Sequence, residues 1–120
     1  MCAEKKKRKD RGPIPEAWKS TVVRILKGDE KNISTTQAAS RDWKNLFPDE
    51  FRYKRYEAFA SALSQPGIIG RRIYNMREPG ETYDFLFSYR GKMLYGKINL
   101  IEGNKLIIIY SNHPPEKEAL

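Results

Sequence analysis

One cysteine and one histidine in 120 residues leave little room for several kinds of chemistry. Cys2 has no second thiol to pair with, which excludes an internal disulfide framework and a thiolate metal cluster. The same scarcity leads us to expect a reducing, cytoplasmic setting. His113 is the single imidazole and sits beside Pro114 and Pro115, so a Ser-His-Asp triad has one residue to build on and no nucleophile elbow. A Gly-x-Gly-x-x-Gly turn and a phosphate-binding P-loop are both missing, and neither a metal nor a cofactor is expected. No apolar run approaches the ~20 residues that span a bilayer, and the charged start lacks the apolar stretch of a secretory signal. No membrane association is expected.

Positive charge is what the chain does have. Basic residues number 23 against 15 acidic, giving a net charge of +8 and a pI near 9.6, a balance that favours polyanionic partners such as nucleic acid or an acidic protein. Lys5-Lys6-Lys7-Arg8-Lys9 supplies five of those charges in one run, which reads as a solvated tail or as a monopartite nuclear localisation signal. Residues 1–12 are accordingly expected to form a flexible basic tail, 13–113 a single domain and 114–120 a C-terminal tail, since Pro114-Pro115 cannot continue a central strand.

Within the domain, Pro15 and Glu16 suit a first helical turn, and Trp18, Val22 and Ile25 or Leu26 follow at helical spacing up to Gly28. Ser34-Thr35-Thr36-Gln37 matches a capping box for a short second helix to about Asn45. Asp49 is placed to cap a third helix, in which Tyr56, Phe59, Ala60 and Leu63 share one face. Ile68 to Met76 reads as a strand, and Glu78-Pro79-Gly80 turns into the main sheet.

Residues 81–112 carry the clearest pattern. Tyr83, Phe85, Phe87 and Tyr89 alternate with Asp84, Leu86 and Ser88, the period-2 signature of a strand with two different faces. Gly91-Lys92 and Gly103-Asn104 each put glycine first in a two-residue loop, as a type II′ hairpin requires. That register sets Phe87 opposite Gly96, Ser88 opposite Tyr95, Ile98 opposite Ile109 and Lys97 opposite Tyr110. One face then gathers Tyr83, Phe85, Phe87, Tyr89, Leu94, Ile98, Leu100, Ile107 and Ile109. Helices first and strands after predict an α+β fold, with the N-terminal helices packed on one face of a small antiparallel sheet of about four strands. The second face, carrying arginine, lysine, tyrosine and serine, is left open.

RRIYNMRE on the first strand, YDFLFSYRG on the next and a closing KLIIIYSNH make this region resemble the RelE/ParE-like toxins, small ribonucleases or gyrase poisons of toxin and antitoxin pairs. The resemblance covers residues 50–113 and rests on element order and residue type. It implies an endoribonuclease acting on RNA or ribosome-bound message, with an antitoxin protein as partner. The resemblance implies that Arg71, Arg72, Arg90, Lys97, Tyr110 and His113 correspond to the basic, tyrosine and histidine groups of such an enzyme, and the register adds Ser88 and Tyr95 as a hydroxyl and a stacking surface. Lys97, Tyr110, His113 and Arg90 are expected to be catalytic, and Arg71, Arg72, Tyr95 and Ser88 to hold the nucleic acid. The longer N-terminal helical part departs from the family, and no acidic residue takes the place of a general base. Cleaving RNA through its 2′-hydroxyl needs a proton acceptor, cations at the phosphate and a donor for the leaving oxygen, residue types this face supplies. The alternative is a non-catalytic basic module that binds nucleic acid or a protein.

Overall fold

The computed structural model describes residues 11–74 and 76–115, so the basic run at 5–9 and the end of the expected C-terminal tail lie outside the described residues. Helix α1, Glu16–Leu26, starts after Pro15 with an acidic residue at its positive end and buries Trp18, Val22, Ile25 and Leu26 on one stripe. A short 3-10 turn, Glu30–Asn32, leads into Ile33–Thr35, a strand the sequence pattern did not reveal. Helix α2, Gln37–Leu46, is capped by Thr36, whose Oγ1 accepts from the Ala39 N–H at 3.1 Å. Ser34, the expected cap, is instead paired with Ile108 in the sheet, and pairing overrides a local capping box. Helix α3, Arg52–Leu63, has Phe51 before it and no side-chain cap, so Asp49 does not play that part. It buries Tyr56, Phe59 and Leu63 and also Ala58, Ala60 and Ala62, because it lies between α1 and the sheet.

The sheet has six strands rather than about four. We number them β1 (Gly12–Pro13), β2 (Ile33–Thr35), β3 (Ile69–Ile73), β4 (Gly80–Tyr89), β5 (Lys92–Ile101) and β6 (Ile107–His113), in the spatial order β1-β3-β4-β5-β6-β2. All neighbours are antiparallel except β2 and β6. The two added strands are edges of two and three residues, too short to carry a period-2 pattern. The sheet thus begins at Gly12, within the stretch expected to be tail.

The faces follow the alternation, but the first hairpin register is displaced by two residues. Tyr89 pairs with Lys92, which makes Arg90-Gly91 the loop, and both loop residues have positive φ, 51° and 78°, as a type I′ turn requires. Arginine is an unusual choice there. Its side chain is held by Glu50, which accepts from Arg90 Nη1 at 2.6 Å and from the Tyr89 hydroxyl at 2.8 Å. A shift of two keeps every side chain on its face and changes only the partners. Phe85 therefore lies opposite Gly96, where an added methyl would sit 2.7 Å from the Phe59 ring and 3.1 Å from that of Phe85.

In the second hairpin Leu100 meets Ile107 and Ile98 meets Ile109, as expected. A bulge between Ile98 and Lys97 then moves the ladder on, so Lys97 faces Ser111, Gly96 faces Asn112 and Tyr95 faces His113. The apolar face is closed by all three helices. Phe59 meets Phe85 and Phe87 at its centre, Trp18 meets Tyr83 at one end, and Trp43, Phe47 and Tyr89 form the other end. Asn112 reaches across to α2, donating to the Ala39 carbonyl at 2.6 Å. Among the described residues no helix is long and apolar enough to cross a membrane.

Candidate functional site

The second sheet face is built in rows running across the strands. Arg71 on β3, Asp84 on β4, Lys97 on β5 and Ser111 on β6 form one row; Leu86, Tyr95 and His113 form the next. Ile73, Thr82, Asn99 and Ile108 make a third row on the other side. Strand twist and register alone bring these residues together, with no loop needed to position them.

The centre of this face is less open than its polarity predicts. Asp84 and Asn99 are fully buried. Asp84 accepts from Arg71 Nη2 at 2.8 Å, from the Tyr95 hydroxyl at 2.8 Å and from Arg11 Nη1 at 3.4 Å, so two cations and a phenol enclose one carboxylate. Burial and the neighbouring Asp84 carboxylate both push the Tyr95 pKa up, which keeps its hydrogen on oxygen. Burial works against the charged Arg71 guanidinium, yet the bond to Asp84 outweighs it and the Arg71 pKa rises. At the far end of the face, Glu78 accepts from the Tyr110 hydroxyl at 2.6 Å, and its backbone carbonyl accepts from Asn99 Nδ2 at 3.3 Å. Burial and Glu78 raise the Tyr110 pKa as well.

Lys97 stands between these two groups. Its ammonium lies 6.0 Å from the centre of the Tyr110 ring, and among the described residues it has no carboxylate within ion-pair reach. His113 closes the next row, with its ring centre 5.4 Å from that of Tyr95 and the planes tilted by 32°. The His113 Nδ1 is 2.7 Å from the Pro114 carbonyl oxygen. A carbonyl only accepts, so Nδ1 is the donor in this contact.

No family model, curated protein or solved structure matches this chain. Its residues must therefore speak for themselves.

Of the residues singled out from sequence, Lys97, Tyr110, His113, Tyr95 and Arg71 share this face. Tyr110 is the extra residue of the bulge, beside Lys97 rather than directly opposed to it. Arg72 does not belong: it pairs with Tyr83 on the helical side, where it bonds Glu81 at 3.4 Å and lies over Tyr74. Arg90 is at the hairpin tip on Glu50, and its guanidinium packs against Phe47. Ser88 faces Met93 at the exposed end of the hairpin, where the displaced register carries it away from Tyr95. Sequence reasoning missed the acidic groups Asp84 and Glu78. An aspartate inside a strand of aromatics is a residue type strands disfavour, and that was the one signal present. Among the described residues no group of three or more His, Cys, Asp or Glu side chains is set to hold a metal ion.

Proposed function

We propose that the chain is a RelE-like endoribonuclease that acts in the cytoplasm on RNA or ribosome-bound message, with an antitoxin-type protein as its partner. The observation that supports this reading is the grouping on one sheet face of an ammonium that has no carboxylate partner among the described residues, an imidazole whose Nδ1 lies on the Pro114 carbonyl and a protonated phenol. Lys97 and His113 are diagonal neighbours across β5 and β6, about 7–8 Å apart along the backbone, a span that suits a phosphate and its adjacent ribose hydroxyl. In the reaction, His113 Nε2 takes the proton of the 2′-hydroxyl as that oxygen attacks phosphorus. The bond from phosphorus to the 5′-oxygen breaks, leaving a 2′,3′-cyclic phosphate on one fragment. Lys97 balances the charge that builds on the phosphoryl oxygens. Tyr110, protonated at neutral pH, gives its hydrogen to the leaving oxygen once it turns from Glu78, and the Tyr95 ring offers a surface for a base.

Purified protein incubated with single-stranded RNA and with ribosome-bound message tests this. Lys97→Ala, Tyr110→Phe and His113→Gln should each lower cleavage by roughly ten- to a thousand-fold, the range for one acid, base or electrostatic group, with the unfolding midpoint little changed. One observation favours a second reading, a non-catalytic module that binds nucleic acid: both phenols of the face are already bonded to carboxylates. RNA binding without cleavage would select that module, and loss of binding on Lys97→Ala would locate it on this face.

A further inference from the structure

A cavity of about 530 Å³ lies on the helical side of the sheet, away from the face just described, between β2, α2 and the start of α3. Three buried polar atoms on residues lining it have no hydrogen-bond partner among the described residues: Thr35 Oγ1, Trp43 Nε1 and Arg55 Nε. Buried polar groups are nearly always bonded, and three orphans around one space are a concentration that needs a cause. Arg55 is the most telling. Its exposure is only 5%, and among the described residues its guanidinium has no carboxylate; its one contact of note is the ring of Tyr56 at 5.4 Å. Only its Nε is both fully buried and unbonded, and holding so much of a cation away from water without a counter-charge is costly. The cavity's other charges do not relieve it, because Glu50 is taken by Tyr89 and Arg90, and Arg52 turns to Glu30 at 2.8 Å.

The missing partner has a definite chemistry. Indole and guanidinium groups can only donate, the hydroxyls of Thr35 and Ser40 can donate, and Lys44 adds a second cation to the lining. Water would satisfy single donors and leave the Arg55 charge uncompensated. A carboxylate offers two oxygens to five donor side chains, whereas a phosphate offers three or four. The volume falls in the range of small-molecule sites and exceeds what a bare phosphate fills, with Trp43 and Tyr56 as aromatic walls. We propose that this cavity binds a phosphate group, free or carried by a small ester, with Arg55 as its principal ligand. The site is independent of the RNA-cleaving reading.

Calorimetry and thermal unfolding of the full chain at neutral pH, with potassium chloride, acetate, inorganic phosphate or phenyl phosphate at matched ionic strength, test the proposal. Inorganic phosphate and phenyl phosphate should bind and raise the midpoint, while chloride and acetate should not. Tighter binding of phenyl phosphate identifies an ester as the ligand; equal binding identifies free phosphate. Thr35→Val and Lys44→Ala should weaken binding about ten- to a hundred-and-fifty-fold, the ratio for losing one charge-assisted bond. Arg55→Met should raise the midpoint in chloride, by removing an unpaired buried cation, and abolish the response to phosphate. Phosphate also stabilises proteins by general exclusion, an effect that wild type and variants share. An equal phosphate response in wild type and Thr35→Val therefore overturns the proposal, as does an acetate response as large as that to phosphate. If Arg55→Met does not fold, Thr35→Val and Lys44→Ala decide the matter.

Discussion

Asp84 organises the second sheet face. It is fully buried, and its two oxygens hold Arg71, Tyr95 and Arg11 from three separate segments. Asp84→Asn keeps the shape and removes the charge, taking from Arg71 the carboxylate it is paired with in a partly buried site. Breaking a buried pair in this way costs about 3–5 kcal/mol, to be read from urea unfolding. A loss below about 1 kcal/mol would mean that water screens the cluster as it does surface pairs. The tyrosines set the alkaline limit. Burial and the bond to Glu50 push the Tyr89 pKa up from 10.0 to about 12. Because its folded pKa is above its unfolded one, the contribution is fully present below pH 10 and is lost as pH rises towards about 12. Stability should therefore fall steeply above pH 10, and Tyr89→Phe should flatten that fall; an unchanged slope would assign it to other groups.

At the scale of elements, the β4 and β5 hairpin separates what the chain's pattern reveals from what it hides. Alternation of Tyr83, Phe85, Phe87 and Tyr89 identifies the buried face because side-chain direction depends on local period alone. Register depends on the turn, and Gly91 fits the first position of one turn type or the second of another. The choice rests on Arg90 at φ 51°, secured by Glu50 from a distant segment, and no local rule contains that contact. The bulge at Tyr110 is likewise silent, and so are β1 and β2. Much of the candidate site was legible through face parity, which joins Lys97, Tyr95 and Arg71. Parity also separates Arg72 from Arg71, a consequence that residue type alone does not carry. NMR gives a direct check: cross-strand contacts should link Phe85 to Gly96 and Tyr95 to His113. Contacts linking Phe87 to Gly96 and Tyr95 to Asn112 would instead restore an unbulged ladder with glycine first in the turn.

On the scale of the whole molecule, charge divides unevenly between the arm and the domain. Residues 1–10 carry five basic and two acidic side chains, leaving +5 of the net +8 to the rest. Just beyond them Arg11 reaches Asp84, and Gly12 and Pro13 pair with Gly70 and Ile69. Arg11 is thus the first described residue whose charge is tied into the fold. Deleting 1–10 should leave the unfolding midpoint unchanged, and removing Arg11 as well should lower it, since Asp84 then loses one of its two cations. On the proposed RNA-binding reading, the same deletions should act differently on affinity. Every phosphate that the arm no longer neutralises takes about 0.7 off the slope of log K against log salt for a single strand, so losing all five basic residues flattens it by up to about 3.5. Removing Arg11 in addition should change that slope little, because its charge is committed to Asp84. A slope that survives deletion of 1–10 would exclude the arm from binding and assign the whole electrostatic contribution to the sheet face around Lys97.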